Sequence, residues 1–223
     1  MRSILTYPIR RIIEHGLSRR GLQPFGVYRK SKENHVFEWD SKRDLPVSNL
    51  VGRYWSMLRQ YWECHGLGKT CLLVSEPRRV GAEMATYYPS TQFVTADLFA
   101  DLMGKDPQSN PDHVWDVCAP VPTTLQKIPF DSVVAQALLE HVINPIEACM
   151  NFASLLQPAG IMYIQTHTPS FHLHRYPRDY LRYHHDFFED LPAYLEHRYG
   201  IKTELLELWS SGGVICTCYC RIA

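Results

Sequence analysis

The chain contains 223 residues, of which 45% are hydrophobic and 21% are charged. These proportions are typical of a folded domain with a sizeable core, and they exclude intrinsically disordered, collagen-like and low-complexity proteins. The 23 basic and 23 acidic residues balance to zero, but their distribution is uneven, because residues 1–32 carry eight basic side chains and one acid. The sequence therefore predicts a basic N-terminal segment followed by an acidic body.

The N-terminal part of the sequence predicts two helices. The first begins at Pro8 and ends at Gly21, and the second runs from Ser48 to Gly66, with a short strand possible at residues 36–39. We expect residues 1–69 to form a basic helical extension, which covers a cofactor cleft or docks a partner, and residues 70–223 to form the main domain.

The basic segment, residues 1–32, is the expected contact surface for a protein or for the periphery of a membrane. No stable nucleic-acid complex is expected, because an acidic body offers little counterion release. The segment lacks the apolar core of a secretory signal, so a cytoplasmic location is expected, with a mitochondrial one possible from its arginine content. Seven cysteines without a CxxC pair indicate reduced thiols, and the oligomeric state stays open.

From Thr70 onward, short apolar runs alternate with helical patterns. Strands are predicted at 71–74, 93–96, 114–117, 132–135, 161–166, 202–208 and 214–221, and helices at 80–88, 145–156 and 187–198. This alternation predicts an α/β fold with a Rossmann-like, doubly wound, mostly parallel sheet. The Gly212-Gly213 turn predicts that the last two strands form an antiparallel hairpin at the C-terminal edge.

Polar side chains follow the first four predicted strands. Glu76 follows the first strand, Asp97 ends the second, Asp116 lies in the third and Gln136 follows the fourth. Ligands of doubly wound sheets bind beyond the carboxyl ends of the strands, and an acid such as Asp97 can hold both hydroxyls of a ribose. A single acid at a strand end is often only a helix cap or a loop anchor, but the series predicts a ligand site.

Three segments carry a family resemblance. Residues 130–145, FDSVVAQALLEHVINP, resemble the fourth-strand motif of class I S-adenosylmethionine-dependent methyltransferases, and LLQPAG at 155–160 resembles their LLxPGG turn. HTP at 167–169, followed by YPRDYLR at 176–182, is similar to a segment of the type 11-like members that often methylate small molecules or sugars. The resemblance covers about residues 70–221.

The resemblance implies S-adenosylmethionine as the cofactor and a small-molecule oxygen or nitrogen as the methyl acceptor. The implied cofactor-binding residues follow the strand ends: Glu76 and Gly81, Asp97 and Leu98, Asp116 and Val117, and Gln136 and Ala137. In this scheme Glu76 lies near the methionyl ammonium and Asp97 at the ribose hydroxyls. Asp116 and Val117 border the adenine, and Gln136 and Ala137 line the sulfonium side.

One motif departs from the family. Where its members have an acid followed by a GxGxG loop, this chain reads Glu76-Pro77-Arg78-Arg79-Val80-Gly81. Proline lacks an N–H, and the arginines add bulk where glycine allows close approach of the backbone. A second function therefore stays open: a catalytically inactive methyltransferase-fold protein that acts as an interaction or regulatory module through its basic N-terminus.

Histidines supply the candidate catalytic groups. His167 or His174 is predicted as a general base that Asp179 orients, and His141, near the methyl donor, leaves a catalytic role open. Two other interpretations remain: the histidines pack a lid, or they hold a metal together with Asp179 or Asp186. Because no spacing matches a standard metal motif, no metal ligand is assigned.

Overall fold

The computed structural model describes residues 28–31, 52–99, 107–174, 178–211 and 213–223. The helix predicted from Pro8 and the strand predicted at 36–39 lie outside these residues. Within the described part of the chain, no helix has the length and apolar character needed to cross a membrane.

One eight-stranded sheet organises these residues. Its strands are β1 (Tyr28–Ser31), β2 (Thr70–Val74), β3 (Gln92–Asp97), β4 (His113–Val114), β5 (Phe130–Gln136), β6 (Leu156–His167), β7 (Thr203–Ser211) and β8 (Val214–Arg221). The order across the sheet is β1-β7-β8-β6-β5-β2-β3-β4. Strands β2 to β6 pair in parallel, whereas β8 is antiparallel to β6 and β7, and β1 is antiparallel to β7. The predicted Rossmann-like, mostly parallel fold is confirmed.

The closing hairpin is antiparallel, as predicted, but β8 occupies an interior position between β6 and β7. Residues 214–219 are all buried, because neighbours cover this strand on both faces and along both edges. The apolar run of β8, interrupted only by the buried Thr217, is the pattern of such an interior strand. The outermost strand on this side is β1, which pairs with β7.

Helices cover both faces of the sheet. They are α1 (Gly52–His65), α2 (Arg78–Tyr87), α3 (Thr123–Gln126), α4 (Pro145–Leu155) and α5 (His185–Tyr199), with single 3-10 turns at Pro107–Ser109 and Leu139–His141. Alternate residues of a strand point to opposite faces. Accordingly, Leu72 joins the core that α4 and α5 complete, and Cys71 joins the core beneath α1 and α2.

Helix α1 packs closely on the sheet. The Trp62 indole donates to the Tyr88 hydroxyl over 2.8 Å, and the Tyr61 hydroxyl donates to the Cys216 carbonyl over 3.3 Å. Leu58, Tyr61 and Trp62 are buried, as the helical spacing predicts. The division into residues 1–69 and 70–223 stays a prediction.

The predicted third strand is wrong in its extent. β4 contains only His113 and Val114. The chain turns at Asp116, whose Oδ1 accepts the Cys118 N–H over 2.9 Å and whose carbonyl accepts the Ala119 N–H over 2.8 Å. This local side-chain cap competes with continued strand pairing, so the strand ends early.

Candidate active site

The parallel strands bring several of the predicted residues to one edge of the sheet. Val74 lies opposite Ala96 on one side and Ala135 on the other, so β2, β3 and β5 end at the same level. Glu76, Asp97 and Gln136 therefore follow neighbouring strand ends. We call these three residues and Arg79 the cofactor edge.

The two acids of the cofactor edge both have raised pKa values. Burial raises the pKa of Glu76 to about 8, the charge of Asp97 adds to the shift, and the charge of Arg79 opposes it. Burial also raises the pKa of Asp97, against hydrogen bonds from the backbone N–H groups of Phe99 and Leu98. Paired, partly desolvated carboxyls of this kind favour a cationic or multiply hydrogen-bonding ligand.

The loop with the altered glycine motif is short. Ser75 has a positive φ of 64°, and α2 begins at Arg78, so both arginines of the altered motif are helical. Arg78 turns to the surface, where its Nε donates to Asp112 Oδ1 over 2.8 Å and its backbone N–H donates to the Asn110 carbonyl over 3.0 Å. The Arg78 side chain is thus held by Asp112.

Arg79 differs from its neighbour. Its Nε is buried and has no hydrogen-bond partner among the residues that the structure describes, and its charge acts on Glu76. Gly81 lies in α2 against β3, where an added Cβ would come within 3.1 Å of Thr95 Cγ2. The close helix–strand approach explains this glycine, and its contact with a cofactor stays a prediction.

The end of β5 carries a second unsatisfied group. The side-chain Oε1 of Gln136 is buried and has no hydrogen-bond partner within the described ranges. The next residue, Ala137, has a φ of 46°, a left-handed conformation that is costly for a residue with a Cβ, and its N–H donates to Gln165. A buried acceptor beside a strained residue is a combination that is often found at ligand sites.

The remaining residues predicted to bind the cofactor have different environments. Asp116 is exposed and caps the Cys118 N–H, and the Leu98 side chain is 48% exposed. The Val117 side chain instead belongs to the core, and its carbonyl accepts from the Asn151 amide over 2.8 Å. Asp116 and Leu98 are thus open to a ligand, whereas the Val117 side chain is enclosed by protein.

A second group of predicted residues meets around Glu140, whose side chain is fully buried. Its Oε2 accepts the Thr166 hydroxyl over 2.6 Å, and its Oε1 lies 2.6 Å from His167 Nδ1. Burial disfavours the charged carboxylate, but the hydrogen bond and charge of His167 and the Thr166 hydroxyl hold the pKa of Glu140 below its ordinary value. Glu140 is therefore a carboxylate held in a buried setting.

Two further histidines complete this group, which we call the histidine cluster: Glu140, His141, His167 and His174. His141 Nε2 lies 3.2 Å from His174 Nε2, and these nitrogens lie 3.8 and 3.9 Å from Glu140 Oε1. His141 Nδ1 donates to the Arg178 carbonyl over 2.5 Å, and the His167 ring stacks on Phe171. The cluster joins residues that lie far apart in the sequence.

Asp179 holds one side of the cluster. Its Oδ2 accepts the His174 backbone N–H over 2.8 Å and lies 3.3 Å from His174 Nδ1. Arg182 binds the same carboxylate through both terminal nitrogens and lowers the pKa of Asp179 far below its usual range. Burial lowers the pKa of His174, and the charge of Asp179 opposes this shift.

The structure thus brings together all four predicted catalytic residues and adds Glu140 at their centre. Sequence reasoning missed Glu140, although it lies between apolar residues at 138–139 and 142, where a buried acid requires partners. Arg182 was missed as well, because the three-residue spacing from Asp179 gives no sign of a buried pair. The catalytic roles themselves stay predictions.

Comparison with known proteins assigns the family. A methyltransferase-domain model matches residues 31–205, most of the chain, so the protein belongs to this methyltransferase family. The predicted class I S-adenosylmethionine-dependent methyltransferase family is confirmed, and S-adenosylmethionine is the cofactor that this family implies. A search of curated proteins found no match to the sequence.

Solved structures agree on the fold. The plantazolicin methyltransferase BpumL, in complex with a monoazolic desmethylPZN analogue and SAH, superposes with a TM-score of 0.55 at 10% identity, covering 75% of this chain and 83% of its own. A putative S-adenosylmethionine-dependent methyltransferase from Listeria monocytogenes superposes with a TM-score of 0.54 at 8% identity, covering 76% and 97%. At these identities the likeness concerns the fold alone.

Proposed function

We propose that the protein transfers a methyl group from S-adenosylmethionine to an oxygen or nitrogen of a small molecule. One observation carries the proposal: the cofactor edge and the histidine cluster adjoin, since Gln136 and Ala137 lead directly into the 3-10 turn Leu139–His141. The cofactor supplies an activated methyl group on a sulfonium, and such a displacement depends mainly on positioning of the reactants.

The side chains of the cofactor edge fit the cofactor in three places. Glu76 suits the methionyl ammonium, and the unpaired Nε of Arg79 suits the methionyl carboxylate. Asp97, at the end of β3, suits the ribose hydroxyls. The positive charge of Arg79 would thus replace the backbone N–H groups that a glycine loop offers to the cofactor.

The histidine cluster suits the acceptor. His174 is its most open member, with 28% of the side chain exposed, compared with 11% for His141. An open depression of about 370 Å³ adjoins it and is lined by Phe171, Leu173, Asp179, Tyr180, Leu181 and Arg182. A hydroxyl or protonated amine must lose a proton during methylation, and the cluster is the group placed to promote that loss.

A second candidate function rests on the altered loop. Pro77 has no N–H, and the Arg78 N–H is engaged by Asn110, so two of the backbone donors near the helix start are lost to a ligand. This favours a protein that has lost catalysis and acts as an interaction or regulatory module through its basic residues 1–32.

Calorimetric titration with S-adenosylhomocysteine separates the two functions. We expect binding in the wild type and its loss in Asp97→Ala, because both ribose hydroxyls lose their acceptor. Glu196→Gln, an exposed change in α5, is the matched control and should bind as the wild type does. Absence of binding by a folded wild-type protein would favour the inactive module and overturn the enzyme.

A further inference from the structure

We propose that the histidine cluster is a binding site for one divalent transition-metal ion of the zinc type, with Glu140, His141 and His174 as ligands. The proposal goes beyond methyl transfer, and the ion site rests on the geometry of these side chains alone. Its proximity to the cofactor edge is what links it to the proposed function.

The distances between the three ligand atoms fit a metal ion. The separations of 3.2, 3.8 and 3.9 Å between His141 Nε2, His174 Nε2 and Glu140 Oε1 form a nearly regular triangle. The point equidistant from these atoms lies about 2.1 Å from each, which is the usual length of zinc–nitrogen and zinc–oxygen bonds. Three protein ligands leave a coordination position open, as in catalytic metal sites.

The tautomers of the histidines also support a metal ion at this position. The Arg178 carbonyl can only accept, so His141 carries its proton on Nδ1 and directs the Nε2 lone pair at the centre of the triangle. The Asp179 carboxylate beside His174 Nδ1 favours the same tautomer for His174. Two lone pairs 3.2 Å apart, both facing a carboxylate, repel one another unless a cation lies between them.

Supporting contacts hold every ligand from behind. Thr166 and His167 fix the two oxygens of Glu140, the Arg178 carbonyl fixes His141, and Asp179, itself bound by Arg182, fixes His174. Metal-ligating histidines and carboxylates are typically held in this way, because the second contact sets the ring tautomer and orientation. One donor atom each from Glu140, His167 and His174 also lie within 4.8 Å of one another.

The donor set selects the class of ion. Two imidazoles with one carboxylate suit zinc, iron(II) or similar ions, whereas calcium and magnesium prefer oxygen ligands. The partial exposure of His174 places the open coordination position towards solvent and the adjoining depression. An acceptor oxygen or nitrogen bound there would lose its proton more readily than in water.

The test is zinc binding by the full chain after chelator treatment, followed by calorimetry and elemental analysis. It is run in a Cys64→Ser background, because Cys64 is an exposed thiol that could bind zinc by itself. We expect one ion per chain, weakened more than about 100-fold in His141→Gln and in His174→Gln, and about 10- to 100-fold in His167→Gln, which changes only the support of Glu140. His197→Gln, in α5, should bind zinc as the background does.

Cobalt(II) gives an independent readout, because its visible spectrum reports nitrogen and oxygen coordination without any turnover. Less than stoichiometric zinc, or binding unchanged in His141→Gln and His174→Gln, would overturn the proposal. S-adenosylhomocysteine titration of the same samples keeps the two proposals apart. Cofactor binding without zinc binding would contradict only the proposed metal site. Zinc binding without cofactor binding would contradict only the proposed methyltransferase activity.

Discussion

The cofactor edge and the histidine cluster are built in opposite ways. The cofactor edge keeps groups unsatisfied: Glu76 has a raised pKa, and Arg79 Nε and Gln136 Oε1 are buried without a hydrogen-bond partner among the described residues. In the histidine cluster each side chain contacts a polar group of a neighbour, although Glu140 Oε1 and His174 Nδ1 also lack a hydrogen bond among the described residues, and the ring nitrogens meet at the centre. On the proposed function, the first region would gain its partners from a ligand, whereas the second would be largely preorganised before one arrives.

The same contrast holds for their arginines. Arg182 at the cluster binds a carboxylate that is fully buried, whereas Arg78 beside the cofactor edge pairs with Asp112 at the surface, where both side chains are more than a third exposed. Buried ion pairs lose far more than exposed ones when one partner is removed, because the remaining charge stays desolvated. Substitutions in the two regions should therefore separate stability from ligand binding.

The largest expected effect is on stability at the cluster. Arg182→Ala should lower the free energy of unfolding by about 3–5 kcal/mol, because Asp179 keeps a buried charge without its partner. Arg78→Ala, the matched change at the surface pair, should cost about 0–1 kcal/mol. Urea unfolding of both variants measures the difference, and equal losses would contradict the contrast between the two regions.

The next effect is on cofactor affinity. Arg79→Met should weaken S-adenosylhomocysteine binding about 10- to 100-fold, because a charge-assisted hydrogen bond to the methionyl carboxylate is worth about 1.5–3 kcal/mol. Arg78→Met serves as the control, since the Arg78 side chain is held by Asp112. Methylthioadenosine lacks the amino-acid end, so its affinity should be the same in both variants. A parallel loss for methylthioadenosine would assign Arg79 a structural role instead.

A smaller effect concerns pH. Burial and the charge of Asp97, from β3, raise the pKa of Glu76 to about 8, against the opposing charge of Arg79, from α2. Glu76 is therefore mostly protonated at pH 7, and the affinity for S-adenosylhomocysteine should rise up to about tenfold per pH unit until about pH 8 and then level off.

Glu76→Gln, which cannot ionise, is the comparison for this pH dependence and should flatten the profile. The free energy of unfolding should change in the opposite direction, falling as the pH rises. The raised pKa stabilises the folded protein below the ordinary value of 4.5, and this contribution is lost as the pH rises through about 8. Identical pH profiles for the wild type and Glu76→Gln would rule out Glu76 as the partner of the ammonium.

Much of the fold was predictable because strand burial and helix periodicity are local patterns. β2, β3 and β5 are found within two residues of their predicted bounds, and β8 matches its prediction. The interior position of β8 depends on pairing between distant strands, and the length of β4 on a side-chain cap at Asp116. The periodicity of apolar residues alone predicts neither the position of β8 nor the length of β4.

The candidate site was predictable to a similar degree. Its strand-end residues follow from topology, since parallel strands end together. The histidine cluster does not follow from spacing, because 25 residues and a whole helix separate His141 from His167, and a loop brings His174 back. Only the folded chain shows that Glu140 is the residue they share.

The interior position of β8 also sets an order of assembly. Strands β6 and β7 leave the ribosome before the strand that joins them, so the sheet stays divided there until Arg221 has been synthesised. The parallel strands of the cofactor edge are complete long before that point. His167, at the end of β6, pairs with Val214 of β8, so the histidine cluster gains its full support only when the last strand docks.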